Sequence, residues 1–429
     1  MLPVALPTTH AIGRRGQGAS RLRIPLVARY TWTRHWPAAA LEGLSWGVVG
    51  LGAFAVKRTL GGPEEAVPLF IALWQAVWIF SPAIGSLLAR ADPQRLWRGL
   101  AVTAYLPVLL VGLVAVEPTA VAGYGTGNLP LFLLLMFLFY ATAIASVPHR
   151  GALLRTNYPH AVRGRMWGYL TAVSFLAALG TAKLAGHLLD RDPRWLRVVF
   201  PVAALFGAAG FWAMGRIRWR HRGRLRIREA VGMRQAWREA WRILREDSAF
   251  RTYEIGFMLY GCGFLCSFGL LILYAEEELG LSYGEWTTAQ FLAFPAAQVV
   301  GAALLGRLSD RLGIVKTTAL AFGMLGLFFG VMSQVGSATG LIGAYALFGF
   351  AMAGVGMGWS LGPLHFSPAR SAHMYAAVHF SLVGVRSLFA PALGWLVKRQ
   401  FSYSAAFGLS VVLIAAAMVT VWRLARRSK

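Results

Sequence analysis

Four ionisable residues sit inside long apolar runs: Glu42, Lys183, Glu254 and Arg386. A charge at the bilayer centre costs at least about 2.5–3.5 kcal/mol on insertion scales, so each demands a reason. Desolvation raises a carboxylate's pKa toward neutrality, where it can take up and release protons. Glu42 is the best candidate for that work. Lys183 and Arg386 fall at near-equivalent places in the two halves of the chain. Two cations aimed into one cavity would suit an anionic solute, or hold a carboxylate until it is protonated. Structural readings stand beside these. Glu42 and Glu254 lie near one membrane face and could pair with arginines there. Lys183 could snorkel to lipid phosphates. Arg386 lies mid-run and reaches neither surface easily.

A second loaded stretch is GRLSDRLGIVK, Gly306 to Lys316. Gly306 would let a neighbouring helix approach closely. Asp310 would accept backbone N–H bonds at a helix start. Arg311 and Lys316 would reach lipid phosphates, Asp310 or the opposite half. Such a cluster would hold one side of the molecule shut in one state and release it in another. One charged contact biases that equilibrium by roughly 1–2 kcal/mol. A topological anchor with a tight turn is the plainer reading.

The elements that position these residues are membrane helices. Of 429 residues, 57% are hydrophobic and 14% charged, against about 25% charged in a soluble domain. Apolar runs recur at the length that a hydrocarbon layer of about 30 Å requires. We expect an all-α polytopic protein with twelve spans. They lie near 37–56, 66–89, 97–116, 129–148, 166–188 and 197–215, then 252–274, 284–306, 316–335, 340–363, 374–396 and 404–422. The domains are then a basic tail (1–36), a six-helix bundle (37–215), a linker (216–251), a second bundle (252–423) and a short tail (424–429).

The net charge of +25 serves orientation. With the N-terminus inside, thirty-three of the 42 basic residues fall on the cytoplasmic side and seven outside. That split fits the positive-inside rule, and no nucleic-acid partner is expected. Glu64, Glu65, Glu117, Asp190, Asp192 and Glu276 to Glu278 fall outside. Both termini are expected in the cytoplasm, with the chain in the plasma or inner membrane. In the linker, Met233, Trp237, Trp241 and Leu244 recur at helical spacing, with Arg234, Arg238, Arg242 and Arg245 one step behind. That amphipathic helix would lie on an anionic inner leaflet and tether the halves.

The halves echo each other. Gly85, Arg90 and Arg95 stand at one common offset from Gly306, Arg311 and Lys316. Related halves are a common transporter plan, with the binding site between them. On these residues the chain resembles the major facilitator superfamily of secondary transporters. Its signature, G-x-x-x-D-R-x-G-R-R/K between helices two and three, is often echoed between eight and nine. Gly306, Asp310, Arg311, Gly313 and Lys316 match the echo. The first copy departs from it, with Ala89 in the aspartate's place and Asp92 in a glycine's.

The resemblance implies two pseudo-symmetric six-helix bundles, with helices one, four, seven and ten lining a cavity. Trp46, Tyr140, Tyr260 and Trp359 are their polar-edged aromatics here. It implies alternating-access transport of a small solute, proton-coupled, to which the two intramembrane cations add an anionic substrate. A hydrophobic-drug efflux antiporter is one alternative, and a non-transporting sensor or scaffold another. No paired acids, metal cluster or Ser/His pair suggests an enzyme. Cys262 and Cys266 read as buried thiols, and neither metal nor cofactor is expected. The chain is expected to act as a monomer.

Overall fold

The computed structural model describes residues 26–80, 91–121, 123–220, 233–368 and 372–427. Among them, eleven helices are long and apolar enough to cross a bilayer. A shorter apolar helix, Ala66–Phe80, stands where the second span is expected. The rest of that span and the first loop motif, Gly85 to Arg90, lie outside the described residues. So does the tail up to residue 25.

The first helix corrects the expected boundary, running Leu26–Val49. Its first turns read as a tail because they carry Arg29 and Arg34. Yet Ala28, Thr31 and His35 form a buried face. Thr31 accepts a bond from Asn157 Nδ2 at 2.9 Å, and His35 Nδ1 lies 3.1 Å from the Tyr158 hydroxyl. After a break at Gly50 and Leu51 the chain resumes as Gly52–Arg58.

The first half is built around Leu26–Val49, packed on both His160–Arg191 and Leu196–Met214. In the second half, Ser248–Glu277 packs along Tyr403–Arg427, where Ser267 and Ser410 bond hydroxyl to hydroxyl at 2.6 Å. Polar groups buried in this way must pair with one another, because lipid supplies no partner. The linker helix, Met233–Glu246, buries Ala240 and Ile243 beside Phe250, Tyr375 and Val378. Trp241 remains 70% exposed. The Met233, Arg234 and Trp237 side chains lie outside the described set.

One end of the molecule carries the acidic loops, including a two-stranded hairpin, Val116–Pro118 against Gly125–Gly127. The other carries the linker helix, Met233–Glu246, and, among the described residues, most of the basic ones. They are called here the acidic and basic ends.

Candidate functional site

Three polar constellations interrupt the apolar interior. The first surrounds a cavity of about 330 Å³ in the first half, lined by Glu42, Trp46, Trp74, Trp78, Tyr140 and Arg150 among others. Glu42 projects from the first helix and Arg150 from Val147–Asn157, just past the fourth span. Their side chains pair at 2.6 Å. The guanidinium also lies 5.1 Å from the Trp97 ring and 5.5 Å from Phe211. The second carboxylate oxygen of Glu42, Oε1, is buried with no hydrogen-bond partner. The Trp74 and Tyr140 rings meet at 5.6 Å, tilted by 37°, along one wall.

The second constellation is buried in the other half. Glu254 and His379 are 2% and 1% exposed. His379 Nδ1 lies 3.0 Å from both carboxylate oxygens, so the ring donates there, while Nε2 has no partner. Arg386 is 2% exposed and donates to the Phe257 carbonyl. Its guanidinium lies 5.3 Å from the Tyr260 ring and 5.7 Å from Trp359. Gly261 makes that seat: a Cβ there would stand 1.7 Å from Cζ of Arg386. Among the described residues Arg386 forms no ion pair, and its charge rests on a carbonyl and two ring faces. Tyr260 is fully buried, with its hydroxyl unpartnered. Trp359 meets the His379 ring edge-on at 5.5 Å.

The two constellations touch through one aromatic contact. Trp78, in the cavity wall, stacks on Phe380 at 5.2 Å. Phe380 follows His379 in the chain and lies 5.8 Å from its ring.

The third constellation joins the halves at the acidic end. Asp190 accepts from the backbone N–H groups of Tyr283 at 3.0 Å and Gly284 at 3.2 Å. A carboxylate of the first half thus caps a helix of the second, Tyr283–Thr288, where both the free amides and the helix dipole favour it. Arg58 lies 3.5 Å from Asp190 and donates to the Leu281 carbonyl at 2.7 Å. Glu277 pairs with Lys57 at 2.7 Å, and Lys398 pairs with Glu64 at 2.6 Å. The Glu277 and Lys398 side chains also meet, at 3.3 Å. Outside the spans, burial and then the neighbouring Glu276 raise the pKa of the Tyr124 phenol.

Lys183 belongs to this third set, which corrects its expected role. It donates to the Gly284 carbonyl at 2.5 Å and to the Thr288 hydroxyl. Neither Lys183 nor Arg386 lines the cavity, so the expected two-cation pocket does not form. Lys183 turns instead to the start of Tyr283–Thr288, and Arg386 to the Phe257 carbonyl.

The GRLSDRLGIVK stretch also departs from expectation. Among the described residues nothing lies within 4 Å of a Cβ placed on Gly306, so none of their helices approaches closely there. Asp310 ends Phe294–Leu312 rather than starting a helix. Asp310 and Arg311 are exposed and without an ion pair among the described residues, and Lys316 is half-buried. Gly313 is the turn itself, with φ +82°, a backbone state that favours glycine. In the first copy, Asp92 caps Pro93–Thr103 by accepting from Gln94 N at 2.8 Å. That is a structural use for the residue replacing a signature glycine.

Arg150 was hidden in the sequence among the bases of a loop, and Asp190 among the outside acids. A proline two residues before Arg150, starting a helix at a span's end, was the one available signal. His379 was legible only as a residue two turns from Arg386.

The described residues contain no group of three or more metal-ligating side chains. The family model of the Major Facilitator Superfamily matches residues 35–385. No curated protein matches the sequence. Among solved structures, a POT family transporter in complex with a thioalcohol-conjugated peptide superposes with TM-score 0.67 at 12% identity, covering 93% of this chain and 96% of that one. The nucleoside transporter NupG gives 0.68 at 11%, covering 93% and 100%. A D-xylose–proton symporter gives 0.65 at 15%, covering 92% and 97%. At such identity these likenesses speak for the fold. Together with the family match and the membrane helices, they identify this chain as a member of the Major Facilitator Superfamily of membrane transporters.

Proposed function

We propose that the chain moves a small solute through the Glu42–Arg150 cavity by alternating access, coupled to protons. The observation that carries this reading is the asymmetry between the two ends. Asp190, Lys398 and their partners tie the halves together at the acidic end. Among the described residues no ion pair joins them at the basic end. The positive-inside rule puts the basic end in the cytoplasm, so this state faces inward. Moving the closure from one end to the other is what alternating access requires.

The Glu254–His379 pair is the proton site in this reading. The two side chains meet in a dry interior, so a proton reaches or leaves them only when water does. The Trp78–Phe380 contact supports communication with the cavity. The linker helix, with Trp241 and Arg238 outward, rests on anionic inner-leaflet lipid and holds its bundle by Ala240 and Ile243. One chain contains all of these parts, so the working unit is a monomer.

The test uses proteoliposomes loaded with a pH-sensitive dye and screened against mixed solutes. Solute-evoked proton flux is expected from the native protein and is expected to vanish in Glu254→Gln while solute binding persists. Proton flux equal to native from Glu254→Gln overturns the coupling site. A native protein that exchanges no solute would favour the sensor reading.

A further inference from the structure

We propose that the cavity takes a lipophilic organic cation: an amine or quaternary ammonium on an aromatic or branched apolar body. The proposal rests on the transport reading above and adds the class of cargo.

Three observations lead to it. The first is the buried Glu42 Oε1, an acceptor with no donor. A buried carboxylate oxygen left unpaired is costly, and an incoming ammonium would pair it. The partner Arg150 engages the other oxygen, Oε2, at 2.6 Å. The second is the wall. Trp46, Trp74, Trp78 and Tyr140 surround the space, and Trp46 is 43% exposed. Aromatic faces are the negative part of a ring and attract cations, most strongly in tryptophan. The third is the balance of charge. Glu42 and Arg150 cancel, so the ring faces and the free oxygen set the sign of the cavity's field. An anion would have to draw Arg150 away from Glu42, leaving a mostly buried carboxylate uncompensated beside the cargo, which is costly even for a partly exposed pair. The volume of about 330 Å³ lies at the lower end of small-molecule sites, about 300–1,000 Å³. The cargo is therefore a single compact molecule.

The probes are tetraphenylphosphonium and its same-shaped anion, tetraphenylborate, titrated against purified full-length protein in one detergent. Binding is read by calorimetry and by quenching of tryptophan fluorescence. The expected result is saturable phosphonium binding, preferred over the borate by at least about tenfold. Glu42→Gln should weaken phosphonium binding by about tenfold or more. Trp46→Ala should weaken it by a smaller factor and Trp46→Phe should restore part of it, which separates ring-face attraction from misfolding. Arg194→Ala, in an exposed loop pair, should bind as the native protein does. Tighter binding of the borate, no saturable binding of either probe, or an unchanged Glu42→Gln would overturn the cargo class. Distances between labels across the two ends, measured without any cargo, report alternating access separately. Failure there would sink the transport reading whatever the probes do.

Discussion

At the residue scale, the buried charges divide by what satisfies them. Glu42 has one partner and one open oxygen; Arg386 has a carbonyl and rings. Removing one member of a buried pair is worse than removing both, because the survivor is left charged and dry. Arg150→Ala should therefore lower stability by about 2 kcal/mol, below the fully buried range because the pair is partly exposed. Glu42→Gln combined with Arg150→Met should recover most of that loss while transport stays abolished. Thermal unfolding in detergent and a flux assay on the same preparations check both halves of the prediction. Gly261→Ala should cost about 1–3 kcal/mol through overpacking against Arg386, read as a fall in melting temperature. Glu42, Glu254 and Arg386 were legible in the sequence because charge in an apolar run is rare. Arg150 was not, because a basic residue at a helix end is ordinary. Only the fold turns it back toward the first helix.

At the element scale, one helix start takes part in closing the acidic end beside the Lys57–Glu277 and Lys398–Glu64 pairs. Tyr283–Thr288 offers free amides, and Asp190 from the opposite half fills them. Asp190→Asn keeps the shape and loses the charge. Charge-assisted bonds are worth about 1.5–3 kcal/mol each, so the substitution should shift the balance of states by roughly thirtyfold, on the order of 2 kcal/mol. Accessibility of a Tyr283→Cys thiol to a membrane-impermeant reagent, in a background with Cys262 and Cys266 removed, should rise accordingly. The signature stretch behaves oppositely in this state. Asp310 and Arg311 stand exposed and apart, so Asp310→Asn should change unfolding stability by less than about 0.5 kcal/mol. Gly313→Ala, forced to a positive φ, should cost about 1 kcal/mol or more. Hydropathy made most spans legible, since lipid demands long apolar helices. It hid the start of the first helix, where arginines flank a buried face of small and polar residues. It also could not show whether the signature loop is engaged or released, because a sequence describes both states at once.

At the scale of the whole molecule, the halves are two bundles that meet at the acidic end and at the Trp78–Phe380 stack. The internal echo in the sequence announced two bundles, and the sidedness of charge gave an orientation. Which end is closed in this state was not legible in the sequence. The basic loops suggested cytoplasmic clasps, whereas the ties in this state run between Asp190, Lys398, Lys57 and the opposite half's Tyr283, Glu64 and Glu277. Charge counts report where lipid headgroups lie, and contacts between loops distant in sequence are outside their reach.

In alternating access, closure passes from one end to the other. Spin labels at positions 65 and 399 span the acidic end, and labels at 95 and 311 span the basic end. Distance distributions should be compared between the native protein and Asp190→Asn in lipid nanodiscs. The acidic-end distance should lengthen while the basic-end distance shortens. Distances that stay fixed at both ends, or move in the same sense, would contradict a rocking pair of bundles.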